Sequence, residues 1–249
     1  MPHISPTLCI LDTPEALAHA AAQECTRLAI GSVASCGRFS MALAGGSTPK
    51  RLYSLLASER DEFRSAFPWM QTHFFWGDER HVPPDHPDSN YRMAHETMFS
   101  RVQVPLESIH RFQSEKAAVE AAADYERLLI RSLSPAQGQM PRFDLVLLGM
   151  GSDGHTASLF PETDVLGEQT RIAAEVWVPK FSSFRLTLTA PLLNNAQNVV
   201  FLVTGQDKAE ALRAVLRGEF KPQQLPAQLI RPNRGQLRWL IDKAAARLL

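Results

Sequence analysis

Short apolar runs alternate with longer amphipathic segments along most of the chain. Near-continuous apolar strands that are separated by helices are typical of a mainly parallel sheet covered by helices on both faces. The pattern therefore predicts an α/β fold. The runs that predict strands are Thr7–Leu11, Ser40–Ala44, His73–Trp76, Phe143–Leu148, Arg185–Thr189 and Asn198–Thr204.

Helices are predicted between these runs. The segment Asp12-Thr-Pro-Glu15 places a polar cap, a proline and an acid at the start of a helix whose apolar face contains Leu17 and Cys25. Prolines at 83, 84 and 87 predict a loop over residues 81–92. No repeat or linker divides the chain, so residues 1–249 are interpreted as a single domain. The other predicted helices are Ser47–Leu56, Glu115–Ser132 and Asp207–Leu216.

The charge balance limits the possible ligands. Lysine plus arginine is 26 and aspartate plus glutamate is 26, which argues against binding to nucleic acid or to an anionic membrane surface. Residues 1–170 carry 14 basic and 21 acidic side chains, whereas residues 171–249 carry 12 basic and 5 acidic ones. Either the solvated faces differ in sign, or the C-terminal part supplies cations to an anion site.

Cysteine usage and the N-terminus favour a cytoplasmic protein. Cys9, Cys25 and Cys36 are odd in number and form no CxxC motif, as expected in a reducing compartment. The segment Met1–Leu11 has no basic region followed by a long apolar run, so no signal peptide is expected. No stretch approaches the ~18 apolar residues of a membrane span, so we expect no membrane partner.

The first candidate site follows the second predicted strand, in the segment Leu43-Ala-Gly-Gly-Ser-Thr-Pro-Lys50. Gly45 and Gly46 permit close approach of the backbone, Ser47 and Thr48 offer hydroxyls, and a helix N-terminus presents unpaired N–H groups to an anion. The segment is neither a Walker A loop nor a GxGxxG motif. A phosphate cradle and a tight turn with a helix cap both fit it.

The second candidate is Phe75-Trp-Gly-Asp-Glu-Arg-His81, where polar residues follow an apolar strand. A capped, solvated loop and a ligand site fit this segment equally well. His81 and His86, with Asp78, Asp85 and Asp88 nearby, raise the question of a metal site. Their spacing matches no common zinc signature, so no metal is expected.

The third candidate is Leu148-Gly-Met-Gly-Ser-Asp-Gly-His-Thr-Ala-Ser-Leu-Phe-Pro161. His155 lies in a glycine-rich turn after a buried strand, where general bases are often placed, although a lone histidine is more often structural. Ser152 lacks the GxSxG context of a serine nucleophile, so a Ser-His-Asp triad is not favoured.

Together these segments resemble the 6-phosphogluconolactonase family, which is related to glucosamine-6-phosphate deaminases. The resemblance extends through Asp88-Ser-Asn-Tyr91, Arg185-Leu-Thr-Leu-Thr189, Val203-Thr-Gly-Gln-Asp-Lys-Ala209 and Trp239-Leu-Ile-Asp-Lys-Ala-Ala245, and so covers nearly the whole chain. It implies a modified Rossmann-like fold.

The deaminases are the close alternative. Their glycine/histidine segment usually continues Ile-Ala-Phe-Asn-Glu-Pro, whereas this one continues Thr156-Ala-Ser-Leu-Phe-Pro161. They typically have Met-Asp-Glu-Tyr where this chain has Gly77-Asp-Glu-Arg80. Both differences favour the lactonase.

The resemblance implies hydrolysis of 6-phospho-D-glucono-1,5-lactone to 6-phosphogluconate, the second step of the oxidative pentose phosphate pathway, without a cofactor. His155 would be the general base, and Asp78 would organise the site or bind sugar hydroxyls. Backbone N–H groups of residues 149–154 are candidates for the oxyanion site. A sugar-phosphate deaminase or isomerase and a non-catalytic sugar-phosphate sensor are the alternatives, and a monomer or weak homodimer is expected. The implied substrate- and phosphate-binding residues are Gly45, Gly46, Ser47, Thr48, Arg80, Gly151, Asp153, Gly154, Arg185 and Lys208.

Overall fold

The computed structural model describes residues 6–249, so the first five residues of the predicted domain 1–249 lie outside the described range. The strands are β1 (Thr7–Leu11), β2 (Phe39–Leu43), β3 (Thr72–Trp76), β4 (Asp78–Arg80), β5 (Ile109–His110), β6 (Leu145–Leu148), β7 (Ala173–Val178), β8 (Ser183–Leu188), β9 (Asn198–Val203) and β10 (Gln236–Asp242). The helices are α1 (Pro14–Cys36), α2 (Ser47–Leu56), α3 (Phe63–Ala66), α4 (Asn90–Thr97), α5 (Ala118–Leu133), α6 (Ala190–Asn194) and α7 (Ala209–Arg217).

Seven strands form a parallel sheet in the order β1-β10-β9-β6-β2-β3-β5. Every adjacent pair in this sheet is parallel, and in the centre Leu43 of β2 lies in register with Trp76 of β3. The prediction of a mainly parallel α/β sheet is confirmed. Because parallel strands end at one edge, the segments that follow β2, β3, β6 and β9 meet there.

Helices cover both faces of the sheet, as predicted. On one face of β10, Arg238 forms an ion pair with Glu24 of α1 at 2.9 Å. Side chains alternate between the two faces of a strand, so Trp239 points the other way, where it lines a cavity with Val215 of α7. The central strands β2 and β6 are buried at every position, which explains why their sequences are almost continuously apolar.

A second, three-stranded antiparallel sheet has the order β4-β8-β7. The predicted strand Arg185–Thr189 is confirmed as β8, and it belongs to this antiparallel sheet. The prediction of a mainly parallel sheet did not specify its partners. In the register of this sheet, Arg80 of β4 pairs with Arg185 of β8. Because β4 directly follows β3, this pairing lies at the carboxyl edge of the parallel sheet. Strand type was read from local apolarity, whereas the partner of a strand depends on residues far along the chain.

The predicted loop 81–92 ends too late, because α4 begins at Asn90. The hydroxyl of Ser89 accepts a hydrogen bond from the N–H of Arg92 at 3.2 Å and caps the helix. The buried carboxylate of Glu79 accepts the N–H groups of Asn90 (2.7 Å) and Tyr91 (2.8 Å). This second cap comes from outside the segment, so the prolines alone could not reveal the helix.

Strand β10 was not predicted, although it lies between β1 and β9 near one edge of the sheet. Its sequence places Arg238 among apolar residues, which obscures the pattern of a buried strand. The ion pair with Glu24 of α1 is what compensates for the charge at this position.

Two further findings concern the surface and the thiols. None of the helices within residues 6–249 has the length and apolarity needed to cross a membrane. Cys9, Cys25 and Cys36 are all free thiols. The interpretation of residues 1–249 as one domain stays a prediction.

Candidate active site

A cleft of about 230 Å³ opens beyond the carboxyl ends of β2, β3, β6 and β9. All three candidate segments contribute to it, so residues separated by more than 100 positions in sequence share one cavity. Its lining includes Gly45, Gly46, Ser47, Thr48, Asp78, Arg80, Asn90, Gly151, His155, Ala157, Thr204 and Lys208.

His155 lies in the cleft wall and is held by a carboxylate. Its Nδ1 is 2.5 Å from Oδ1 of Asp153, which also accepts the backbone N–H of His155 at 3.2 Å. An ionised carboxylate only accepts hydrogen bonds, so Nδ1 carries the proton. The lone pair of the neutral ring is therefore on Nε2, which is the nitrogen that can take a proton from a ligand.

Asp153 remains ionised next to this ring. Burial acts to raise the pKa of Asp153, but the hydrogen bond and the charge of His155 outweigh burial, and the pKa of Asp153 lies well below its usual range. Lys180, in the turn between β7 and β8, adds an ion pair of 3.2 Å to Oδ2 of Asp153. The carboxylate can therefore stabilise an imidazolium if His155 accepts a proton.

Packing fixes the plane of the His155 ring. Phe160 stacks on it with a centroid distance of 4.1 Å and an angle of 24° between the planes. On the other side of the turn, a Cβ on Gly151 would overlap the imidazole. Glycine at this position thus makes room for the histidine, which explains in physical terms why the turn is glycine-rich.

Helix α2 presents an open N-terminus to the cleft. Its cap residue Gly46 makes no side-chain cap hydrogen bond, and Pro49 in the first turn has no N–H. Gly46 has φ +99° and ψ 173°, a conformation that is essentially restricted to glycine. The N–H groups of Ser47 and Thr48 therefore have no partner within the helix and are available to an anion.

Two hydrogen bonds hold Asp78, which also lines the cleft. Its Oδ2 accepts the hydroxyl of Ser158 at 2.8 Å. Asn90, at the start of α4, donates from Nδ2 to the backbone carbonyl of Asp78 at 2.9 Å. The Asp78 carboxylate thus faces the cleft in a set orientation and can accept hydrogen bonds from a polyhydroxylated ligand.

Arg80 and Arg185 are register partners on adjacent antiparallel strands. Within residues 6–249, neither guanidinium has a carboxylate oxygen within 4.0 Å. Burial, followed by the charge of Arg80, lowers the pKa of Arg185. Two facing cations without a neutralising carboxylate make this wall receptive to an anion.

Lys208 enters the cleft from the loop after β9. Its ammonium forms an ion pair of 2.9 Å with the more exposed Asp207. In the same loop, Thr204 lies 2.7 Å from Thr48, measured between the two hydroxyl oxygens. A lysine and the open end of α2 therefore meet at one end of the cleft.

Three predicted site residues do not belong to the cleft lining. Asp153 contacts the His155 ring from outside the cleft, and Gly154 is the residue between these two. Arg185 is the register partner of Arg80 on the adjacent strand. Sequence analysis also omitted lining residues, namely Asn90 and Thr204. Asn90 belongs to the Asp88–Tyr91 segment and Thr204 to the Val203–Ala209 segment. The family motifs thus include both residues, but they do not show that the two side chains line the cleft.

The glycine-rich turn uses part of its own backbone. The N–H of Gly151 bonds to the carbonyl of His155 at 2.9 Å, and that of Gly154 bonds to the carbonyl of Gly151 at 3.0 Å. These two groups stabilise the turn and are therefore not free donors for an oxyanion.

The histidines and acids after β3 do not form a metal site. Nε2 of His81 forms a hydrogen bond of 2.7 Å with the backbone carbonyl of Lys116. In the part of the chain that the structure describes, no three His, Cys, Asp or Glu side chains cluster as metal ligands.

Comparison with known proteins identifies related chains. The family model described as glucosamine-6-phosphate isomerases/6-phosphogluconolactonase matches residues 12–239. A 6-phosphogluconolactonase of Synechocystis sp. is 45% identical over 215 residues, which are 86% of this chain and 86% of that protein. A human 6-phosphogluconolactonase is 40% identical over 217 residues, or 85% of this chain and 81% of that protein.

Solved structures are similar over almost the full length. The 6-phosphogluconolactonase of Trypanosoma brucei has a TM-score of 0.83 at 30% identity and covers 98% of this chain and 99% of that one. A monomeric glucosamine-6-phosphate deaminase has a TM-score of 0.79 at 21% identity, over 98% of this chain and 100% of that one. The second similarity shows a shared fold.

Proposed function

The chain belongs to the glucosamine-6-phosphate isomerase/6-phosphogluconolactonase family, and within it we propose that the protein is a 6-phosphogluconolactonase with His155 as the general base. The observation that carries the proposal is the cleft itself. It brings the His155–Asp153 pair and the open N-terminus of α2 into one cavity. A base and an anion site in one cavity suit a phosphorylated lactone.

The chemistry needs one proton carrier. Nε2 of His155 removes a proton from water as the water oxygen attacks the lactone carbonyl. When the tetrahedral intermediate collapses, the bond between the carbonyl carbon and the ring oxygen breaks, and the imidazolium returns its proton to that oxygen. Asp153 stabilises the imidazolium in between. A general base of this kind contributes about 10²–10⁴-fold to the rate.

The phosphate is placed at the start of α2. Unpaired N–H groups of Ser47 and Thr48, the hydroxyls of the same residues and the ammonium of Lys208 surround that end of the cleft. Arg80 and, beside it, Arg185 supply further positive charge. Arginine forms bidentate contacts to phosphate, and lysine adds a compact point charge. Two of the three cations come from the basic residues 171–249.

Asp78 is proposed as a binder of sugar hydroxyls. Its hydrogen bonds to Ser158 and Asn90 hold the carboxylate in place without neutralising it. In the deaminase alternative the aligned acid has a catalytic role. The residues around Asp78 and after His155 in this chain favour the lactonase, since both segments depart from the deaminase pattern.

The remaining proposals concern the setting of the enzyme. We propose a small-molecule substrate, a monomer or weak homodimer, one domain over residues 1–249, and a cytoplasmic location. Three free thiols support the last of these, because a reducing compartment keeps cysteines unpaired.

The test is hydrolysis of 6-phospho-D-glucono-1,5-lactone by the wild type and by His155→Ala, followed at mildly acidic pH where spontaneous hydrolysis is slow. We expect turnover by the wild type and a loss of at least about 10²-fold in kcat for the variant. A near-normal kcat in the variant would reject the role of His155.

Two further assays separate the alternatives. Release of ammonia from glucosamine 6-phosphate would identify a deaminase. Calorimetric binding of 6-phosphogluconate without lactone turnover would identify a sensor. Either result in the absence of lactone hydrolysis would overturn the proposed function.

A further inference from the structure

One family motif, Trp239-Leu-Ile-Asp-Lys-Ala-Ala245, has no part in the chemistry described above. It contains the last four residues of β10 and ends just beyond the carboxyl edge of the sheet. There the side chain of Asp242 is only 2% exposed and does not line the cleft. We propose that Asp242 is a positioning residue that holds the loop carrying Thr204 and Lys208 in place for phosphate binding.

The contacts of Asp242 are to backbone N–H groups. The N–H of Gly205 donates to both carboxylate oxygens, each at 3.1 Å. The N–H of Ala245 donates to Oδ1 at 2.7 Å. A buried carboxylate satisfied in this way fixes the two backbone segments relative to β10, because breaking either contact leaves a buried polar group unpaired.

Gly205 transmits this constraint to Lys208. While its N–H is held by Asp242, its carbonyl accepts the N–H of Lys208 at 3.1 Å. Gly205 alone therefore links the Asp242 carboxylate to Lys208, because its N–H bonds to the first and its carbonyl bonds to the second. Without its hydrogen bond to Asp242, Gly205 would be free to move, and the backbone of Lys208 would move with it.

The preceding residue is tied to the anion site from the other side. Thr204 shares a hydrogen bond of 2.7 Å with Thr48 of α2, measured between hydroxyl oxygens. Thr48 belongs to the open N-terminus proposed to bind the phosphate. Asp242 thus controls the relative position of the two parts of that site without touching the ligand.

The negative charge of Asp242 and its hydrogen bonds predict opposite changes in phosphate affinity when the residue is substituted. A buried negative charge near an anion site repels the anion, so loss of the charge alone would strengthen phosphate binding. Loss of the positioning contacts would weaken it. The sign of the change in affinity therefore distinguishes a positioning role from a purely electrostatic one.

The inference rests on the proposed function in taking Lys208 and α2 as the phosphate site. Its test uses Asp242→Ala, which removes all acceptors, and Asp242→Asn, which keeps one acceptor oxygen for Ala245. We expect KM for the lactone and Kd for 6-phosphogluconate to rise about tenfold in Asp242→Ala and less in Asp242→Asn. In both variants kcat should stay within about twofold of the wild type.

Asp144 provides the matched control. It lies before the amino end of β6, far from the cleft edge of the sheet, and accepts the backbone N–H of Ser40 at 2.8 Å and its hydroxyl at 2.6 Å. Asp144→Asn should lower the unfolding midpoint without changing KM or Kd. A general loss of stability is thereby separated from a specific loss of phosphate affinity.

A double-mutant cycle with Lys208→Met completes the test. If Asp242 acts through Lys208, Asp242→Asn should weaken binding less in the Lys208→Met background than in the wild type. Unchanged or tighter binding of 6-phosphogluconate by both Asp242 variants would overturn the inference, as would an equal effect of Asp144→Asn. A wild type that binds 6-phosphogluconate but hydrolyses no lactone would instead count against the proposed function, since the affinity measurements need no turnover.

Discussion

Nδ1 of His155 lies 2.5 Å from Oδ1 of Asp153, and Oδ2 of the same carboxylate lies 3.2 Å from the ammonium of Lys180. The carboxylate is thus the central member of a three-residue chain that begins at the imidazole and ends at an exposed lysine. The carboxylate and the ammonium act on a protonated ring in opposite directions, because the carboxylate stabilises an imidazolium and the ammonium offsets part of that stabilisation.

Replacing Asp153 by alanine should impair catalysis more than binding. The ring would lose the acceptor that sets its tautomer and stabilises its charged form, so kcat should fall by at least about tenfold. KM should change less than kcat, because Asp153 does not line the cleft. Steady-state kinetics of the variant measures both, and an unchanged kcat would show that Asp153 does not support His155.

Lys180→Met is the counterpart of that variant. The bond between Asp153 and His155 remains, and the carboxylate loses its other partner, so the carboxylate should stabilise an imidazolium at least as well and kcat should not fall. The side chain of Lys180 is 60% exposed, and solvent screens its charge, so any change in kcat should be smaller than that of Asp153→Ala. A fall in kcat as large as that of Asp153→Ala would contradict the model of opposed neighbours.

Lys208→Met and Arg80→Met should mainly raise KM. If both cations bind the phosphate equally in the ground and transition states, kcat should change little. Loss of a charge-assisted hydrogen bond of about 1.5–3 kcal/mol corresponds to a rise of roughly 10- to 100-fold. Lys243→Met is the control, because Lys243 also pairs with one carboxylate, Asp12, but lies outside the cleft lining. A variant with unchanged KM would have no part in phosphate binding.

Gly46→Ala should weaken both the fold and the anion site. At φ +99° and ψ 173° an alanine is strained by about 1–3 kcal/mol, and relief of the strain would displace the N–H groups at the start of α2. We expect a lower unfolding midpoint and a higher KM. The control is Gly31→Ala in α1, where an added Cβ meets nothing within 4 Å and should stabilise the helix slightly. Equal effects of the two substitutions would refute the strain argument.

Stability should depend on pH through the pair His73–His110, neither of which lines the cleft. Nδ1 of His73 lies 3.1 Å from Nε2 of His110. Burial, followed by the charges of His73 and Arg131, lowers the pKa of His110 to about 4. Burial, with Arg38, also lowers the pKa of His73.

The sign follows from proton binding. Between about pH 4 and the ordinary histidine pKa of about 6.5, the unfolded chain binds more protons than the folded one, so the free energy of unfolding should fall as the pH falls through this window. Urea denaturation at several pH values would measure the slope. His110→Gln should flatten it, whereas His95→Gln, at an exposed position, should leave it unchanged. An unaltered slope in His110→Gln would show that the pair does not titrate with folding.

Sequence reasoning predicted the elements more accurately than their partners. It placed β1 at Thr7–Leu11 and α2 at Ser47–Leu56, both as observed, because apolar spacing and caps are local signals. It did not find β10, where Arg238 interrupts the apolar pattern and is compensated by Glu24 of another element. It also did not reveal the antiparallel sheet that contains β8, since the register between Arg80 and Arg185 depends on residues about 100 positions apart.

The same division holds for the candidate site. The sequence alone determined an α/β protein with glycine-rich segments after its strands, and its resemblance to a family made His155, Asp78 and Lys208 candidates for sugar-phosphate chemistry. Only the tertiary structure decided that Asp153 contacts the histidine ring, that Asn90 supports Asp78, and that Asp242 contacts Gly205. The last of these contacts exists because β10 and β9 are neighbours in the sheet. A parallel sheet brings together segments far apart in the chain, so no local pattern can specify such a contact.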